Sequence, residues 1–140
     1  MIKIIMGKKG TGKTKTIIDM ANKAVGSEPG HVVVIERGEK LKFDITHKAR
    51  LINSKEYGVK GYDMVEGFLA GIAATNYDIT HVFMDSVYKI AGTEDREEFE
   101  KFIETLEKLN KVTNVAYTMT VSDESDNFSD KVKGYLISVE

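Results

Sequence analysis

Gly7-Lys8-Lys9-Gly10-Thr11-Gly12-Lys13-Thr14 follows a short apolar run of Ile2, Ile4, Ile5 and Met6, and precedes Ile17, Ile18, Ala21, Ala24 and Val25 at helical spacing. The apolar run reads as a buried strand. The later spacing reads as one face of a helix. A strand, a glycine-rich turn and a helix in that order open an alternation that continues along the chain, and it predicts a parallel sheet with right-handed crossovers.

The octet matches G-x-x-x-x-G-K-[ST], and each residue type in it has a physical task. Gly7, Gly10 and Gly12 are expected to supply φ > 0 and close backbone approach without a Cβ. Successive N–H groups of residues 8–14 then make an anion-binding concavity, and the open amides of the following helix add partial positive charge. Lys13 is placed to reach β- and γ-phosphates, and the Thr14 hydroxyl to meet Mg²⁺. Four fixed letters arise by chance in about one chain of this length in two hundred. The strand before and helix after decide against a turn that binds nothing.

The remaining elements follow from periodicity. Val32–Ile35 is a second buried strand ending at Glu36. Residues 38–60 are irregular, with Leu51-Ile52 as a short strand. Met64, Val65, Phe68, Leu69 and Ile72 mark an amphipathic helix that Asp63 is placed to cap. His81–Asp85 is a third strong strand. Phe99, Phe102, Ile103, Leu106 and Leu109 make the clearest amphipathic helix, with Thr93 as its cap and Glu94 and Asp95 in its first turn. Val115–Val121 and Tyr135–Val139 complete the strands. The first helix is expected to stop at Gly26. The fold class is α/β: a three-layer arrangement, a mostly parallel sheet of about five strands with helices on both faces, in one domain over residues 1–140. Ligands in such sheets bind outside the carboxyl ends of the strands, where Gly7, Glu36, Asp85 and Val121 fall.

Asp85 follows three apolar residues at a strand end, the setting in which a rigid carboxylate binds Mg²⁺. The competing reading is a cap for a short helix through Val87, Tyr88 and Ile90. The next residue is Ser86, so no glutamate follows to activate water. Glu36, on a neighbouring strand end, is the substitute base, with Asp44 a weaker candidate. Thr118, Thr120 and Ser122 share one face of their strand. They read either as a sensor of the γ-phosphate or as hydroxyls in a β-favouring run. Of the three arginines, Arg37 and Arg50 fall where a segment could overhang the site, without any distinguishing motif.

The 140 residues are 41% hydrophobic and 30% charged, with net charge −2. That balance argues against nucleic acid or an anionic membrane as partner. The absence of cysteine excludes disulfides, zinc–thiolate sites and cysteine nucleophiles, and fits a cytoplasmic location. No apolar run nears the ~20 residues of a membrane span, and no signal-peptide pattern opens the chain.

Gly7–Thr14 and the Val82–Asp85 strand together resemble the P-loop NTPase superfamily, on its RecA-like side. The whole chain is also similar to short bacterial P-loop ATP-binding proteins, some of which carry a "twitching motility" ATPase label. Pilus-retraction ATPases are long, two-domain and hexameric, with acidic and histidine motifs that have no match here, so the resemblance implies no biological process. It implies ATP and Mg²⁺ as ligands, with Gly7 to Thr14 on the nucleotide, Lys13 and Glu36 catalytic, and Thr14 and Asp85 on the metal. Adenine over guanine rests on the lack of an N-K-x-D motif, since Asn22-Lys23 is followed by Ala24-Val25. The leading expectation is a slow ATPase, acting alone, with a protein partner or as a homo-oligomer. The alternatives are a nucleotide-sensing module with little turnover and a small-molecule kinase.

Overall fold

The computed structural model describes residues 1–139. Six strands form one sheet: β1 (Ile2–Gly7), β2 (His31–Glu36), β3 (Arg50–Asn53), β4 (Ile79–Met84), β5 (Ala116–Ser122) and β6 (Leu136–Ile137). Their spatial order is β3-β2-β4-β5-β1-β6, and every neighbouring pair is parallel. The expected sheet of about five strands gains a member because Leu51-Ile52 does pair, as part of β3, while β6 closes the opposite edge. The helices are α1 (Lys13–Ser27), α2 (Tyr62–Thr75), α3 (Val87–Ala91), α4 (Arg96–Thr113) and α5 (Asp130–Lys133).

Strand alternation divides the sheet into two faces. Ile4, Val33, Ile35, Val82, Met84, Tyr117, Met119 and Val121 belong to the larger core, packed under α2, α3 and α4 through Leu69, Ile90, Phe99 and Phe102. Ile5, Val32, Val34 and Phe83 belong to a smaller core on the other face, under Ile17, Ala21 and Ala24 of α1. Leu41, Ile45 and Ala49 from the irregular segment join this second core. Asn22 ties that segment to α1, donating to the Asp44 carbonyl and accepting from the Thr46 amide, each at 2.9 Å.

Three helix ends differ from expectation. α1 continues through Gly26, and the Glu28 amide closes it on the Ala24 carbonyl at 2.8 Å. α2 starts after Gly61, whose φ of 81° turns the chain, so Asp63 lies in the first turn and complements the dipole instead of capping. α4 is capped by Asp95, whose side chain accepts from the Glu98 amide. Thr93 instead accepts from the Asp95 amide at 3.1 Å, and an aspartate two residues nearer the helix makes the better charged cap.

A polar group on the α1 face was not anticipated. His81 is buried, stacked on Phe83 with ring centroids 4.0 Å apart. Its Nδ1 lies 2.8 Å from Glu28 Oε2, and its Nε2 2.8 Å from the Thr118 hydroxyl. Burial lowers the His81 pKa, the Glu28 carboxylate opposes that, and Lys3 and the N-terminal amine add to the lowering. A depressed histidine pKa means that the unfolded chain takes up the proton first. The stabilisation is therefore complete above about pH 6.5 and declines as pH falls below that value. Urea unfolding between pH 7.5 and 5.5 should show this decline in the wild type and a flatter profile in His81→Gln. An identical slope in both proteins would remove His81 from the account.

Candidate functional site

The carboxyl ends of β1, β2, β4 and β5 deliver Gly7, Glu36, Asp85 and Ser122 to one end of the sheet. The register pairs Gly7 with Ser122 and Ile35 with Met84. The Asp85 amide donates to the Ile35 carbonyl at 2.9 Å, which extends the pairing one residue past β4. Parity places Glu36, Asp85 and Thr120 on the same face as Val34, Phe83 and Ile5, the face that α1 covers. The first residues of α1 therefore meet that face at its carboxyl end.

The loop itself has the expected strained turns at two of its three glycines. Gly10 and Gly12 have φ of 81° and 88°. Gly7 does not take a positive φ, which corrects its expected role. Its need is space: a Cβ there would lie 2.8 Å from Thr11 Oγ1. Thr11 Oγ1 donates to the Lys8 carbonyl at 2.8 Å, and Lys13 Nζ donates to the same carbonyl at 2.7 Å. The loop is thus folded over the Lys13 side chain. Burial lowers the Lys13 pKa, and the Asp85 charge acts the other way. Gly12, as residue before the helix, offers no side-chain cap, and no acidic residue occupies the first turn. The leading amides of α1 lack intrahelical partners and face the loop with their partial positive charge.

Asp85 does not cap α3. The residue before that helix is Ser86, and no side chain caps it. Asp85 instead receives a 2.7 Å hydrogen bond from Thr120 Oγ1 at Oδ1. Thr14 Oγ1 lies 3.4 and 3.3 Å from its two carboxylate oxygens. Thr120 Oγ1 in turn accepts the Ser86 amide at 2.7 Å. Ser86 holds φ 62°, a left-handed conformation that few residues other than glycine adopt.

Glu36 is buried at the end of β2, beside β4. Its two oxygens accept from the Lys40 amide at 3.0 Å and the Leu41 amide at 2.9 Å. Burial raises its pKa, the two amides lower it, and the Asp85 charge raises it again, for a net upward shift. Asp44 is exposed on the far side of that turn, where its carbonyl binds Asn22. Arg37 is exposed. Arg50 begins β3, level with Val33 rather than with the strand ends, and its Nη2 lies 3.5 Å from the Tyr57 hydroxyl. Thr118 and Thr120 are both fully engaged, one with His81 and the other with Asp85. The reading of these hydroxyls as mere strand formers is too bland. Their signal was the alternation that puts Thr118 and Thr120 on the face of His81 and Asp85.

Among the described residues, no group of three or more His, Cys, Asp or Glu side chains could hold a metal alone. One carboxylate beside one hydroxyl is nevertheless the donor set that suits Mg²⁺, which keeps waters and shares substrate phosphates. The residues present fit that ion. No protein-family model matches the chain, and no curated protein matches it either.

Thr120→Val keeps the shape of the side chain and removes both hydrogen bonds. It leaves the Ser86 amide without its acceptor and Asp85 without its shorter donor, with only the longer Thr14 contact remaining. The expected loss of unfolding free energy is about 1–3 kcal/mol, read by urea denaturation. A variant as stable as the wild type would mean that neither bond organises the strand end.

Proposed function

We propose that this chain is a Mg²⁺-dependent ATP-binding protein of the P-loop NTPase type, with slow ATPase activity. The observation that carries the reading is the meeting of Thr14 and Asp85. They lie 71 residues apart in sequence, and the hydroxyl and carboxylate are within 3.3 Å of one another at the mouth of the glycine-rich loop. Two motifs recognised separately in the sequence thus converge on one point.

In this reading the backbone of residues 8–14 cradles the phosphates. The Lys13 ammonium exchanges the Lys8 carbonyl for β- and γ-phosphate oxygens, a charge-assisted and stronger partner. Thr14 and Asp85 hold Mg²⁺, and the bound ion supplies neutralisation of phosphate charge. Thr120 keeps the Asp85 carboxylate turned toward the loop. Glu36 is the base that orients water. To act, its carboxylate releases one of the amides of Lys40 and Leu41. Its raised pKa favours proton uptake at a higher pH than an exposed glutamate allows.

A second reading, a nucleotide-sensing module with little turnover, is favoured by that same Glu36 geometry. Both carboxylate oxygens are already committed to the turn at Lys40 and Leu41, and Ser86 occupies the position after Asp85 where a base could stand.

Titration of the purified protein with Mg-ATP and Mg-GTP tests the binding claim. Lys13→Ala should weaken Mg-ATP binding by about 1.5–3 kcal/mol, or roughly 10- to 150-fold. Equal binding by wild type and variant would sink the role given to the loop. Phosphate release separates the two readings. Glu36→Gln should slow it about 100-fold or more if Glu36 is the base, and should leave a negligible rate unchanged if the chain only senses nucleotide.

A further inference from the structure

Beside the loop lies a cavity of about 620 Å³, a volume in the range of small-molecule sites. Only Lys8 and Lys9 of the loop line it. Lys13, Thr14 and Asp85 do not. The cavity therefore adjoins the phosphate cradle and shares Lys8 and Lys9 with it, but does not reach Lys13, Thr14 or Asp85. Its other walls come from the chain after β4, the start of α4 and the loop after β5.

The back wall is a built polar network centred on Asp123. That carboxylate accepts from Tyr88 Oη at 2.6 Å, Arg96 Nε at 3.0 Å and Arg96 Nη2 at 3.1 Å. It also accepts from the Glu124 amide at 2.8 Å and Asn127 Nδ2 at 3.2 Å. Burial raises the Asp123 pKa, but these donors outweigh it and hold the carboxyl well below the usual range. The wall is thus fixed and its own negative charge is compensated by Arg96. At the rim, Lys8 pairs with the exposed Glu124 at 2.9 Å. Among the described residues, Lys9 and Lys89 form no ion pair, and they face only Glu94 as a remaining lining carboxylate. The surplus charge of the cavity is positive. Ser86, in its left-handed conformation, stands on the same wall, and strained residues of this kind collect at ligand sites.

We propose that this cavity is a second ligand site, distinct from the phosphate loop, which takes a small hydroxylated molecule carrying carboxylate or phosphate groups. Lys9, from the glycine-rich loop, and Lys89, from α3, meet its negative charge. The hydroxyls of Ser86, Ser122 and Thr93 meet its polar groups. Arg96, which also lines the cavity, retains guanidinium hydrogens beyond the two bonded to Asp123.

The site stands independently of the nucleotide reading, so its test uses protein without nucleotide. Citrate and inorganic phosphate are the probes, titrated while amide NMR shifts are recorded for wild type, Lys89→Ala and Lys13→Ala. Lys89 is exposed, and its removal leaves the core untouched. Saturable shifts are expected at residues 86–93 and 122–127 with at least one probe. Lys89→Ala should raise its dissociation constant about threefold to fivefold, the effect of one exposed charge, and Lys13→Ala should leave it unchanged. Three outcomes overturn the proposal: no saturation by either probe below about 10 mM, affinity unaltered in Lys89→Ala, or binding abolished by Lys13→Ala with shifts confined to residues 8–14.

Discussion

The Thr120 hydroxyl donates to Asp85 and accepts the Ser86 amide, both at 2.7 Å. Through this one group the end of β5 determines where β4 stops, which way its carboxylate points and how the chain turns into α3. A carboxylate at a strand end is otherwise free to rotate into solvent. Held here, it faces Thr14 across the mouth of the loop, and the strand order makes this geometry available. β5 lies between β1, which carries the loop, and β4, which carries Asp85. A hydroxyl on β5 is the natural bridge between the two.

The same sheet face carries a second polar connection at its opposite end. His81 joins Glu28, at the end of α1, to Thr118 in the centre of the sheet. α1 is therefore fastened to the sheet by polar contacts at its far end and by apolar packing along its length. Its N-terminus has no side-chain cap and carries open amides. The polar fastening lies away from the loop, and at the loop end no side chain caps the helix. Such a division suits a ligand site, since groups satisfied by protein are not available to a ligand.

The architecture was legible wherever apolar residues recur with a clear period. Ile2–Met6, Val32–Ile35 and Val82–Met84 are short, almost wholly apolar runs with only Lys3 polar among them, and Phe99–Leu109 fits one helical stripe. β3 was faint because it is four residues long and paired along only one edge. Helix starts were misread where glycine or a nearer aspartate did the work, as at Gly61 and Asp95. Lys13, Thr14 and Asp85 stood out in the sequence because each type has a defined task at its spacing, and the fold brings Thr14 and Asp85 within 3.3 Å of each other. The partners of Asp85 and Glu36 did not stand out. Thr120 and the Lys40 and Leu41 amides are brought in by register and by a turn, and neither leaves a pattern in one sequence. The cavity lined by Asp123 was hidden for the same reason: it combines residues from four separate stretches.

The account stands on the claim that Thr14 and Asp85 together form the metal-binding half of a nucleotide site. The most direct measurement is ATP affinity with and without Mg²⁺, in wild type and in Asp85→Asn. Asparagine keeps the size of the side chain and an acceptor for Thr120 but removes the charge. The account predicts that Mg²⁺ tightens ATP binding by the wild type, and that this enhancement disappears in the variant. An equal Mg²⁺ enhancement in both proteins would contradict it.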